Sequence, residues 1–114
     1  MSFDFLLSKE QLDLRDEIRD FIKWVPKQTI LDMDTDAIQF PKDLLKEAAR
    51  RNLMGCRHPK EWGGRGMDWV TDCMVCEEIG TLSYEIACVF GVGAGLVCDA
   101  LILHGTDEKK EKYV

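Results

Sequence analysis

Residues 58–69 read His-Pro-Lys-Glu-Trp-Gly-Gly-Arg-Gly-Met-Asp-Trp, one proline and three glycines in twelve positions, set between two stretches of helical periodicity. Proline removes a backbone donor and glycine adds backbone freedom, so both stop a helix, by different means. Gathered here, they predict a sharp connection between two helices. The same glycines, and Gly91, Gly93 and Gly95 further on, could be taken for the start of a phosphate-cradling loop. Neither cluster completes GxGxxG, neither follows a strand-like run, and no P-loop Lys-Ser or Lys-Thr is present, so neither reads as a phosphate cradle; the helical glycines of the second suit close approach by another helix or by a ligand.

Upstream of this stretch, Ser8 followed three residues later by Gln11 is a capping-box signature. Leu14, Ile18, Phe21, Ile22 and Val25 then recur at helical spacing, which predicts a first helix from about Lys9 to Trp24, ending near Pro26. Leu31 to Gln39 is rich in aspartate and carries no clear period, so a loop or a short irregular helix is expected there. Pro41 reads as the first residue of a second helix, whose apolar stripe is Leu44, Leu45, Ala48 and Ala49. Asn52 tolerates the left-handed conformation and should end that helix, with Leu53 folding back as the accompanying apolar contact.

Downstream, Asp68 is a candidate N-cap for a third helix carrying Trp69, Val70, Cys73, Met74, Cys76 and Ile79, with Gly80 near its end. From Ile86 to Leu103 eighteen residues carry one charge, Asp99. That run is shorter than the roughly 20 residues of a membrane span, and a central aspartate costs about 2.5–3.5 kcal/mol on insertion scales. Glu85 precedes it and no basic flank accompanies it, so no membrane is expected as a partner. A helix apolar all round still wants cover on all sides, and few short helices cannot supply it. Thr106 then reads as the N-cap of a polar helix beginning Asp107-Glu108-Lys109-Lys110. The pattern is that of one all-α domain, a small bundle of about five helices, cut from something larger.

Fifteen basic residues against twenty-one acidic ones leave a net charge of −6, and the basic ones form no stripe, which excludes a nucleic-acid footprint. With 46% hydrophobic and 32% charged residues the chain is globular rather than disordered. The first ten residues lack a basic n-region and Asp4 interrupts their apolar run, so a cytoplasmic location is expected. The five cysteines, Cys56, Cys73, Cys76, Cys88 and Cys98, are odd in number and four sit in helical apolar patterns. They suit reduced, buried thiols. Cys73 and Cys76 form a CxxC with no second pair and with His58 and His104 distant, so helix packing is expected and no metal site. No Ser-His-Asp or Cys-His arrangement stands out, Glu77 and Glu78 read as the wet side of the third helix, and no catalytic residue is assigned.

Taken in order, Leu-Ser-Lys-Glu-Gln-Leu near the start, Phe40-Pro41, Met54-Gly55, Pro59-Lys60-Glu61-Trp62-Gly63-Gly64-Arg65-Gly66, Cys76-Glu77-Glu78-Ile79-Gly80 and His104-Gly105-Thr106-Asp107-Glu108-Lys109-Lys110 carry a specific likeness. Across nearly the whole chain the sequence resembles the N-terminal helical domain of the flavin-dependent acyl-CoA dehydrogenases. One departure is Asn52, where that family usually has glycine.

The resemblance implies that residues 1–114 are one domain of a three-part enzyme, the middle β domain and C-terminal helical domain being absent from this chain. It implies FAD in the full-length parent, held chiefly by those other parts and not expected on this segment alone, with the catalytic base also outside it. The implied reaction removes an α-proton from an acyl-CoA while hydride passes from Cβ to the flavin. Electrons then go to an electron-transfer flavoprotein, and the whole is a homotetramer. The apolar helix over residues 84–104 would form one wall of the acyl channel through Val89, Val92, Gly93 and Leu96, small residues leaving room for an acyl group. Acyl-CoA oxidases and flavin monooxygenases share such a domain, and a free-standing helical interaction module is the alternative outside catalysis.

Overall fold

The computed structural model of the chain describes residues 4–114; the first three residues of the amino-terminal run lie outside them. Every regular element among the described residues is helical. A short 3₁₀ turn, Asp4–Leu6, leads into α1, Lys9–Trp24. The capping box forms as expected: the Gln11 amide N–H donates to Ser8 Oγ (3.2 Å), and the Ser8 N–H donates to Gln11 Oε1 (2.8 Å). Leu14, Ile18 and Phe21 lie one helical turn apart and are buried.

α2, Lys27–Asp34, is the short helix allowed for near residues 31–39, but it begins four residues earlier and ends at Asp34. Pro26 ends α1 and also serves as the N-cap of α2 in an extended conformation, so one residue is both stop and start. Only Ile30 and Met33 of α2 pack against the core, a stripe too short to register as a period. α3, Lys42–Arg50, begins one residue later than expected, with Pro41 as its N-cap instead of its first helical residue. Its end is as expected: Asn52 has φ 53°, its N–H donates to Ala49 O (2.9 Å), and Leu53 N–H reaches back to Ala48 O (3.0 Å). That is a Schellman motif with Leu53 fully buried as its apolar contact.

The glycine-rich connection folds on itself. Gly63, Gly64 and Gly66 donate their N–H groups to Lys60, Pro59 and His58 carbonyls, and Met67 N–H donates to Cys56 O. A Cβ on Gly64 would overlap the His58 carbonyl, and Gly63 and Gly66 have φ of 89° and 67°. Tightly turned, the loop delivers Arg65 to the end of α3, where its Nε donates to Asn52 O (2.7 Å). The amides that would cradle a phosphate are therefore spent inside the loop.

α4, Trp69–Gly80, is capped by Asp68, whose Oδ1 accepts from Thr71 N–H (2.9 Å) and Thr71 Oγ1 (2.8 Å). Those bonds, with Gln11 adding a third, hold the Asp68 carboxyl below its ordinary range. α4 lies along α1, joined by a two-pronged ion pair from Arg19 Nε (2.8 Å) and Nη2 (2.7 Å) to Glu78. Glu78 is thus a tether between helices and not simply a wet residue, while Glu77 is exposed.

Ser83 caps the next rod, accepting from Ile86 N–H (3.3 Å). The rod is α5, Tyr84–Phe90, a π-helical turn, Gly91–Val97, and α6, Cys98–His104. Its helical run of 21 residues is long and apolar enough to cross a membrane by length and composition. Length therefore does not exclude a span as the sequence suggested, and the cost of Asp99 is what stands against one. α7, Asp107–Tyr113, starts at Thr106 without a side-chain cap bond.

The core is α1 against α3, α4 and α5: Leu14, Ile18, Phe21, Leu44, Ala48, Leu53, Met74, Val75, Ile79, Ile86 and Phe90. With extents of 39 × 38 × 19 Å the molecule is a slab, and past Phe90 the rod has no buried residue. The thiols depart from the expected burial: Cys56 is buried, Cys88 and Cys98 are half-buried, and Cys73 and Cys76 are exposed. Burial pushes the Cys56 thiol up to about 11.

Candidate functional site

The π turn is the departure from regular structure that shapes a site. Its hydrogen bonds close over five residues, as from Cys98 N–H to Gly93 O, widening the helix. Three glycines in seven residues lower its intrinsic helical stability by roughly 1 kcal/mol each relative to alanine. Packing does not explain them: a Cβ on Gly91 or Gly95 would meet nothing, and one on Gly93 would only touch Met54 Cε at 4.0 Å. π turns are rare and gather at functional sites.

Beneath this turn, between the rod and α4, is an apolar cleft of about 330 Å³. The rod contributes Phe90, Gly91, Ala94, Gly95, Leu96 and Asp99; α4 contributes Trp69, Asp72, Cys73, Val75 and Cys76. Leu53, Gly55, Cys56 and Arg57 come from the connection after α3. For scale, a dry cavity of about 150 Å³ holds benzene, and ligand pockets start near 300 Å³.

Polar groups sit at one end. The Arg57 guanidinium lies 3.7 Å from the centre of the Trp69 ring, its Nε donates to Asp72 Oδ2 (2.6 Å), and its Nη2 donates to Asp99 Oδ2. The Asp99 bond, ahead of the charges of both carboxylates, raises the Arg57 pKa further. Next to it the buried His58 ring bonds through Nε2 to the Ala94 carbonyl within the π turn, and its Nδ1 stands 3.8 Å from Asp99 Oδ1. Burial raises the Cys76 thiol, with the nearby Asp72 charge adding to it. A thiol so shifted is mostly protonated at neutral pH and a poor nucleophile. The arrangement can hold an apolar group; it offers no activated acid, base or nucleophile.

The four expected wall residues are spread over the rod. Leu96, 71% exposed, stands at the lip of the cleft. Val89 lines a separate groove of about 490 Å³ together with Ile30, Met33 and Phe40. Val92, 50% exposed, and the half-buried Gly93 line neither hollow. An α-helical wheel puts all four on one side, but the wider turn from residue 91 changes the rotation per residue. Arg57, His58, Trp69 and Asp72 were not singled out by the sequence pattern. Asp99 was the available signal, since one carboxylate in an apolar run requires a partner when buried.

Compared with known proteins, residues 8–114 match the family model described as acyl-CoA dehydrogenase, N-terminal domain. An acyl-CoA dehydrogenase of Bacillus subtilis (strain 168) is 29% identical over 110 residues, covering 95% of this chain and 28% of the relative. The mitochondrial isovaleryl-CoA dehydrogenase of Arabidopsis thaliana is 38% identical over 77 residues, 66% of this chain and 19% of the relative. A 3-(aryl)acrylate reductase of Clostridium sporogenes (strain ATCC 15579) is 33% identical over 101 residues, covering 89% and 26%. The chain thus spans less than a third of the length of each of these relatives.

Proposed function

The chain belongs to the acyl-CoA dehydrogenase N-terminal domain family, and from that premise we propose that it forms part of the acyl-CoA channel of a longer, FAD-dependent oxidoreductase. The reaction in this reading is α,β-dehydrogenation of an acyl-CoA thioester. The observation that supports it is the glycine-bearing π turn, whose missing side chains no neighbour in the chain requires. Space left open along an apolar helix is what an acyl chain needs. Val89, Val92, Gly93 and Leu96 are the wall in this proposal, Leu96 at the lip of the cleft, Val89 in the neighbouring groove, and Val92 and Gly93 on the rod between them. The relatives' names range from an isovaleryl-CoA to an aryl acrylate, so no chain length is proposed.

The glycine-rich loop does not fit a flavin's pyrophosphate. It has committed the amides of Gly63, Gly64 and Gly66 to its own carbonyls, leaving no cradle there. In this proposal FAD and the catalytic base are assigned to other parts of the protein, and the role of this segment is to hold and shape the substrate. Electron transfer to an electron-transfer flavoprotein, assembly as a homotetramer and a cytoplasmic location complete the proposal. The rod is taken to pack on protein and not lipid, a reading supported by the ion pair of Asp99 with Arg57.

The test is Val92→Trp in the full-length protein, assayed over a series of acyl-CoA chain lengths with melting temperatures in parallel. A substrate-facing Val92 predicts a loss of kcat/KM of about ten- to a hundredfold for long substrates only. A uniform loss with a lowered melting temperature would remove Val92 from the channel.

A further inference from the structure

We propose that Arg57 and His58 are positioning residues: a two-point clamp that holds the rod in its π turn and so sets the width of the cleft beneath it. The link to width rests on the acyl-CoA reading, whereas the clamp itself does not.

A widened turn with three glycines has little reason to persist alone. The core does not hold it, because no residue from Gly91 to His104 is buried and the buried cluster ends at Phe90. Two adjacent side chains from the connection after α3 hydrogen-bond to this part of the rod. His58 bonds the Ala94 carbonyl in the middle of the π turn, and Arg57 bonds the Asp99 carboxylate just beyond it. The two anchor points are five residues apart, the span of one π hydrogen bond.

The clamp has a firm base. His58 is 3% exposed and fixed by the glycine loop, since its carbonyl accepts from Gly66 N–H (2.8 Å) and its own N–H donates to Gly55 O (2.9 Å). A Cβ on Gly55 would stand 2.7 Å from His58 Cδ2, so glycine there is what leaves room for the ring. Arg57 is braced on α4 by the Trp69 ring and by Asp72. The ring of His58 supplies a donor to a carbonyl in the stretch where the register changes from four to five residues. If the rod relaxed to a regular α-helix, Asp99 would rotate relative to Ala94 and the two anchors could not both be met. The cleft lies between these anchors and α4, so its breadth follows the register they select.

The experiment is hydrogen–deuterium exchange on the full-length protein, read on peptides covering residues 91–99, together with the acyl-CoA length series. His58→Ala should speed exchange at those amides about tenfold or more while Tyr84–Phe90 stays protected, the mark of a local opening. His58→Gln, which keeps a donor at a similar reach, should restore protection. Asp99→Asn, at a partly exposed position, should loosen Cys98–His104 with little effect elsewhere, and it keeps the idea testable if His58→Ala does not fold. Unchanged exchange, equal loosening along the whole rod, or no rescue by glutamine overturns the clamp. In the length series, the clamp predicts that His58→Ala changes KM for long acyl-CoA with kcat for short ones unaltered. Local loosening with no change at any length overturns the link to the cleft. If the parent protein turns over no acyl-CoA, the acyl-CoA reading fails and the exchange data alone decide the clamp.

Discussion

Two glycine clusters in this chain have opposite surroundings. In the loop, Gly64 lies so close to the His58 carbonyl that a single methyl group would collide with backbone. In the rod, Gly91 and Gly95 face open space. The first cluster is part of a self-sufficient half, where caps, a Schellman motif and the core of α1, α3 and α4 agree with one another. The second is part of a half that leaves Leu96, Val97 and Leu103 each at least 51% exposed. Glycine in the loop is required by this chain's own packing, and glycine in the rod by something the rod must leave room for.

Substitution separates the two. Gly64→Ala should destabilise by about 3 kcal/mol or fail to fold, because neither the loop backbone nor the added methyl can give way. Denaturant unfolding measures it, and a loss under about 1 kcal/mol would dissolve the contrast. Gly95→Ala should go the other way, stabilising by about 0.5–1 kcal/mol through helix propensity while narrowing the cleft. A stability gain accompanied by weaker handling of acyl-CoA would sharpen the comparison; destabilisation would mean that the rod's glycines serve packing after all.

The smallest effect concerns acid. Glu47 on α3 accepts from Arg50 and Arg51, which lower its pKa from 4.5 to about 2. A depressed folded-state pKa contributes stability above the unfolded value and loses it as pH falls towards the folded one. The window is therefore about 4.5 down to about 2. Melting temperature should fall slightly less steeply across that window in Glu47→Gln than in the parent chain, and identical slopes would show the pair to be inert.

Much of the self-sufficient half was legible because its signals are local. Ser8 with Gln11, Asp68 before α4, and Asn52 with Leu53 each speak over three or four residues, and each forms the expected bonds. α2 was legible only as an alternative to a loop, and not its start, since Pro26 serves two helices at once and two packed residues make no period. The π turn was not legible either, because apolar spacing reports side chains and the turn is a change in backbone bonding. Arg57 and His58 find their partners 42 and 36 residues away, beyond any spacing rule.

The carboxamide of Gln11 reaches further than its size suggests. It accepts from Ser8 N–H through its oxygen and gives both amide hydrogens away, one to Asp68 Oδ1 (3.0 Å) and one to Thr71 Oγ1 (3.1 Å). The first turns of α1 and α4 are thus finished by the same side chain, across 57 residues of sequence. In kinetic terms, neither helix start is complete until a long loop has closed, and closing such a loop costs entropy before any bond rewards it. The Ser8–Gln11 and Asp68–Thr71 bonds are local and can form first, whereas the Gln11 amide hydrogens find Asp68 and Thr71 only when α1 meets α4, so a chain still emerging from the ribosome holds α1 with its capping side chain half employed.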